Sequence, residues 1–211
     1  MTGPGGSTMA VTDESPVRGS FWSDDVRVIL RPGRTYAELA GHPGRGSFLL
    51  RPVSFALLIG LAIAISSSGR PTLRLVLGSA VAWSFVPALH AVSVALVTLT
   101  LARGRLRPGR SVDLYFMGLL PWSMWLLGIA ALASSTPPAR EAAVWSTMLF
   151  TAPAPFIWGR IVTFAFFRRA LGLSRGRSLA AVALNLGIVW GAILAFFLLS
   201  GQLWPRIVGR G

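Results

Sequence analysis

Few residues of this chain could do chemistry. The seven carboxylates are Asp13, Glu14, Asp24, Asp25, Glu38, Asp113 and Glu141, and the two histidines are His42 and His90. No pair of them has the HExxH spacing that puts two metal ligands on one helical face. There is no cysteine, which removes thiolate nucleophiles, disulfides and cysteine metal sites. No glycine-rich phosphate loop follows a strand pattern, and no nucleophile can be paired with a base. The reading is a non-enzymatic chain with no catalytic residues, no cofactor and no metal. What remains is one cation in an unusual place. Arg160 lies inside an apolar stretch, seven residues before Phe167, roughly 10 Å of helix from its charged end. A charge at that depth marks a functional position by default. Asn185 falls at similar depth in the next apolar stretch, seven residues after Ser178. The expectation is that Asn185 offers its amide oxygen to Arg160 and that Asp113 supplies the counter-charge. His90, in the middle of another apolar run, completes a candidate intramembrane polar cluster of Arg160, Asn185, Asp113 and His90. The cluster either ties helices together or holds an anion or ligand. His90 alone reads as a packing histidine, because a proton relay would need carboxylates that the apolar runs lack.

The elements that position these residues are long apolar runs. Of the 211 residues, 53% are apolar and only 13% charged, against about 25% in a soluble domain. The apolar residues gather in five stretches, near 52–68, 75–102, 114–134, 142–167 and 178–200. Each is long enough for a helix across a bilayer core, which takes roughly 20 residues. The expected fold is all-α, a polytopic integral membrane protein of five transmembrane helices in a domain over 47–204. Pro87 predicts a kink in the second span. Pro121, Pro153 and Pro155 fall inside the third and fourth, as in the broken helices of transporters or as prolines that membrane helices tolerate. Residues 1–20 are polar and rich in Gly and Pro, which predicts a disordered tail and not a secretory signal. Residues 205–211 form a short tail, with Trp204 before it as an interfacial anchor.

Residues 21–46 precede the first span and read as a short amphipathic juxtamembrane segment. Ser23 can cap a helix with Asp24 and Asp25 in its first turn, and Pro32-Gly33 stops it. Thr35-Tyr-Ala-Glu38 fits a capping box, so a second helix is expected near Thr35. The segment either lies on the membrane with Arg27, Arg31 and Arg34 near lipid phosphates, or packs against the spans.

Charge orients the chain. All 20 basic residues are Arg and the net charge is +13. The arginines cluster beside span ends, where topology requires them, so nucleic acid is not an expected partner. The N-terminal segment carries six, the second connection four (Arg103, Arg105, Arg107, Arg110), and the last connection four (Arg168, Arg169, Arg175, Arg177). The opposite side carries five: Arg70, Arg74, Arg140, Arg206 and Arg210. The positive-inside rule therefore predicts a cytoplasmic N-terminus and an outside C-terminus. Small residues recur every fourth position, as Ala56, Gly60, Ala64 and Ser68 in the first span and Ala183, Gly187, Gly191 and Ala195 in the last. Such stripes let helices approach closely. They pack within one chain or join a second copy.

Two stretches carry a likeness to a known family. One is Arg31-Pro-Gly-Arg-Thr-Tyr-Ala-Glu-Leu39 followed by Arg51-Pro52, and the other is Trp158 through Leu184, above all Arg169-Ala-Leu-Gly-Leu-Ser-Arg-Gly-Arg-Ser178. The first is similar to the lead-in, and the second to the last hairpin, of the prokaryotic branch of the Yip family, the Ypt/Rab-interacting membrane proteins. Ser111-Val-Asp-Leu-Tyr115 and Pro121 also resemble the family's polar entry into its third span. The likeness covers about residues 28 to 200. Arg160 and Arg51 depart from it, standing where apolar or small residues are usual. The resemblance implies five spans in a prokaryotic cell (inner) membrane and transfers no catalytic residue. The function expected is a membrane scaffold or adaptor working through the basic cytoplasmic loops. Its expected partners are anionic headgroups, a membrane or cytoplasmic protein, or a second copy. The alternative is a small transporter or permease component built on Arg160, Asn185 and His90.

Overall fold

The computed structural model describes residues 21–42, 48–102, 105–137 and 141–208, and every regular element among them is helical. Four helices are long and apolar enough to cross a membrane, and a bent pair makes a fifth crossing if its halves count together. The elements are α1 (Phe21–Leu30), α2 (Pro32–Ala40), α3 (Leu50–Ser68), α4 (Leu73–Ala82), α5 (Phe85–Val97), α6 (Pro108–Met117), α7 (Leu120–Ser135), α8 (Glu141–Thr151), α9 (Pro153–Ala165) and α10 (Arg175–Val208). Single π-helical turns, Thr98–Ala102 and Phe166–Ala170, extend α5 and α9. The tails at 1–20 and 209–211, and the side chain of Trp204, lie outside the described residues.

Proline sets where the long apolar runs break. A proline has no N–H for the carbonyl four residues earlier and crowds it. Pro87 should kink one continuous helix, but the chain breaks outright at Trp83-Ser84, and Pro87 sits in the first turn of α5. The Trp83 carbonyl, which Pro87 cannot serve, accepts from Val86 instead at 3.0 Å. Pro121 likewise stands in the first turn of α7, after a break at Gly118-Leu119 that bends the α6–α7 pair by 47°. The third apolar helix thus starts at Pro108, six residues before the expected 114. Pro153 opens α9 directly after Ala152. Pro32 also opens its helix, so α2 starts there and not near Thr35. In place of a capping box, the Thr35 hydroxyl donates to the carbonyls of Arg27 and Arg31, and Glu38 pairs with Arg34 at 2.8 Å and Arg27 at 2.5 Å.

α3 lies between α4 and α7, while α10 packs on α5 and α9. α1 and α2 cap one end of this bundle, with Val28 and Tyr36 fully buried. The Tyr36 ring meets Phe166 edge-on at 5.5 Å, fixing α2 to the π turn after α9. The α5–α6 and α9–α10 connections meet at the same end. Gly172, at φ +61°, holds a left-handed conformation, and the Arg105 guanidinium occupies the place a Cβ would take. The apolar part of the α9–α10 connection is buried at Ala170, Leu171 and Leu173, and Arg168 donates to the Leu173 carbonyl at 2.8 Å. Only Arg169, Arg175 and Arg177 of the four expected loop cations are exposed.

The two small-residue stripes have opposite fates. On α3, a Cβ at Gly60 would come within 2.3 Å of the Val76 carbonyl oxygen and 2.7 Å of the Ala80 nitrogen, so this glycine sets how closely α3 and α4 approach. Ala64 is fully buried beside it and Ala56 is half-buried. On α10, the expectation of packing within the chain fails. Ala183, Gly187, Gly191 and Ala195 are all exposed, and nothing lies near a Cβ at either glycine. The reason is angular. α10 buries Ser178, Ala181, Asn185 and Val189, and the small stripe is offset from these by two residues, roughly 200° around the helix. The two faces are separable by mutation. Gly60→Leu should destabilise the detergent-solubilised protein by about 1–3 kcal/mol, while Gly187→Leu should stay within about 0.5 kcal/mol. Thermal unfolding of the two variants side by side checks this.

Candidate functional site

Among the described residues, charged side chains are drawn into the structure in two places, one buried and one half-buried, and the contrast between them defines the site. The first lies under the α1–α2 cap. Arg51, in the first turn of α3, is only 6% exposed. Its Nε donates to Asp25 of α1 at 3.2 Å, and its Nη1 to Asp113 of α6. Arg110 closes the group, donating to the other Asp113 oxygen at 2.5 Å and to the Leu39 carbonyl at the end of α2 at 3.1 Å. Two carboxylates thus meet two guanidiniums, and the cluster is neutral. It joins α1, α2, α3 and α6. Asp113 is therefore not the counter-charge of Arg160: Arg51 and Arg110 take both of its oxygens.

Burial pushes the Asp25 carboxyl above its usual range, against the pull of Arg51. Its proton is held more tightly in the fold than in the unfolded chain. The fold therefore gains stability as pH falls through the raised value, and the gain is complete below the ordinary value of 3.8. The ionised form adds little, so Asp25→Asn should cost about 1 kcal/mol or less. Arg51→Leu should cost about 3–5 kcal/mol, because it leaves two carboxylates facing each other without their shared cation. Melting curves between pH 4 and pH 8 should show the Arg51→Leu defect shrinking toward acid.

The second group lies among the long apolar helices. Asn185 of α10 is fully buried; its oxygen accepts from the Tyr115 hydroxyl at 3.2 Å and its amide donates to Ser93 at 2.9 Å. The Tyr115 hydroxyl also meets His90 Nδ1 at 3.0 Å, with the Arg160 and Thr163 side chains beside it. Since Tyr115 gives its proton to Asn185, the His90 bond requires the proton on Nδ1. Three of the four expected residues, Arg160, Asn185 and His90, thus come together around Tyr115, which was not among them, while Asp113 lies in the Arg51 cluster. Asn185 does not offer its oxygen to Arg160 directly; Tyr115 stands between them. Tyr115 was hidden by its neighbourhood. It is two residues from Asp113, on the opposite side of the same short helix.

Among the described residues, no carboxylate pairs with Arg160. Its guanidinium carbon lies 5.4 Å from the centre of the Phe156 ring, a cation–π distance. Its Nε is buried and has no hydrogen-bond partner. Each acidic side chain that shares an ion pair among the described residues does so with Arg27, Arg34, Arg51 or Arg110. Arg160 instead lines a cavity of about 320 Å³ together with His90. Phe55, Trp83, Trp122, Phe156 and Trp190 provide much of the rest of its wall, from α3, the α4–α5 break, α7, α9 and α10. A cation at one wall of an otherwise apolar chamber favours an anion bearing an apolar body.

No protein-family model matches the chain, and no curated protein and no solved structure is significantly similar to it. The functional reading therefore rests on the geometry.

Proposed function

We propose that this chain is a five-span, non-enzymatic membrane protein that binds an anionic ligand inside the bilayer, as a small carrier or permease component. One observation carries the reading: Arg160 faces a cavity, and its partners among the described residues are all neutral. Buried charges are normally paired, and the Arg51 cluster shows the chain pairing them elsewhere. An anion in the cavity would complete at Arg160 what Asp25 and Asp113 complete at Arg51. His90, Tyr115 and Asn185 position the guanidinium and supply no acid–base pair.

The five-span count draws support from the interlocked connections. Arg105 packs on Gly172, so the α5–α6 and α9–α10 connections share one face. Connections on one face agree with an even number of crossings between them, and with Glu141–Ala170 long and apolar enough for one crossing, this supports reading the bent α6–α7 pair as the other. The gathering of the basic segments at this end supports a cytoplasmic N-terminus and an outside C-terminus. The likeness to the prokaryotic Yip branch supports a cell (inner) membrane as its setting. A reporter active only outside the cytoplasm should be on when fused to the C-terminus. Activity there from a cytoplasm-only reporter would remove the five-span topology.

A second reading, the adaptor, is favoured by the exposed Arg31, Arg105, Arg107, Arg169, Arg175 and Arg177 at the capped end, a surface suited to anionic headgroups or an acidic partner protein. Mass spectrometry of the protein released intact from native membranes separates the two. For the ligand-binding reading, wild type should carry a co-purifying anion, Arg160→Leu should lose at least about tenfold in occupancy, a loss of about 1.4 kcal/mol, and Arg160→Lys should keep part of it. Equal occupancy in wild type and Arg160→Leu would remove this reading and leave the adaptor.

A further inference from the structure

We infer that the ligand at Arg160 is a single-tailed carboxylate of fatty-acid type, and that its tail leaves the cavity between Trp122, Phe156 and Trp190 into a groove on the outer surface of the bundle. This rests on the anion-site reading above and goes beyond it in naming the ligand and its route.

Charge fixes the head. One unbalanced guanidinium calls for one negative charge. A phosphomonoester would bring an excess charge, and a phosphodiester would bring a further polar group that must also be buried. His90 and Arg160 are the only titratable side chains in the cavity wall among the described residues, so a bare carboxylate is the head the chamber can satisfy. Size fixes the tail. At about 320 Å³ the cavity is at the low end of small-molecule sites, roughly 300–1,000 Å³, too small for a two-tailed lipid. A second, open groove of about 640 Å³ lies against it, lined by Leu149, Ala152, Pro153, Ile157 and Leu186. Trp122, Phe156 and Trp190 line both spaces.

The partition consists of two panels on different helices. Trp122 of α7 stacks on Trp125 at 4.8 Å, and the Trp125 indole donates to Thr151 of α8 at 2.9 Å. Phe156 of α9 meets Trp190 of α10 edge-on at 6.3 Å. No hydrogen bond crosses from Trp122 to Phe156 or Trp190 among the described residues. The panels can therefore part without breaking a polar contact. Phe156 is also the ring beneath Arg160, so a head group arriving at the cation touches the same side chain that closes the route.

The test uses the full chain in lipid nanodiscs and reads quenching of its tryptophans by dibrominated stearate. Wild type should show a saturable component. Unlabelled stearate should displace it at least tenfold better than decanoate, and stearate methyl ester should not displace it. Gly159 lines the cavity and nothing lies within 4 Å of a Cβ there, so Gly159→Leu narrows it without a clash; it should abolish the saturable component while the protein melts like wild type. Arg160→Leu should abolish it and Arg160→Lys should restore part of it. Leu186→Trp, which narrows the groove alone, should bring stearate down to the level of decanoate. If stearate and decanoate compete equally and Leu186→Trp changes nothing, while Arg160→Leu still abolishes binding, the tail route is wrong and the anion site stands. If the saturable component survives Arg160→Leu, the anion site itself is wrong.

Discussion

A charge taken out of water must find its opposite, and the capped end of this protein is organised by that requirement. Arg51 sits at the mouth of α3 with almost no exposure, where an unpaired guanidinium would be costly. Asp25 reaches it from α1 and Asp113 from α6, and Arg110 returns the balance to zero while holding the end of α2. These four residues come from segments far apart in sequence. The cluster therefore fixes where the cap sits on the bundle. Once it is fixed, Tyr36 lies against Phe166, and its ring closes over the Gly118 break, where a Cβ would come within 2.9 Å of the tyrosine oxygen.

Arg160 shows the same rule left incomplete. Its surroundings are polar but neutral: a hydroxyl, an imidazole, and an aromatic face. Such partners orient a guanidinium and soften its desolvation, but they do not balance its charge. The Ser93 hydroxyl holds the amide of Asn185, Asn185 accepts from Tyr115, and Tyr115 stands beside Arg160. This supports a charge that has no carboxylate partner among the described residues.

The apolar runs were legible in the sequence because spanning length and charge exclusion are one-dimensional signals. So was Arg160, since one charge stands out in an apolar run. The ion cluster was not. Asp113 reads as a counter-charge for Arg160, and nothing in the linear order says that Arg51, a departure from the family pattern at the lip of α3, would claim it. The stripe on α10 illustrates the same limit. Periodicity finds a face, but only the positions of neighbouring helices decide whether Gly187 and Gly191 or Asn185 and Val189 turn inward. The loop cations fared similarly: Arg168 reads as part of a solvated connector, yet Leu171 and Leu173 draw that connector into the core.

The prolines gain meaning from where the breaks fall. In a membrane helix a proline is tolerated because the freed carbonyls find other partners, and irregular backbone survives where it borders protein or a cavity. Three breaks follow that rule here. Trp83, at the α4–α5 break, lines the cavity, as do Gly118 and Leu119 at the α6–α7 break. Ala152 and Pro153, at the α8–α9 break, line the adjoining groove. Two interruptions of apolar helix border the cavity that Arg160 lines, and the third borders the groove beside it, so the helix breaks shape both spaces.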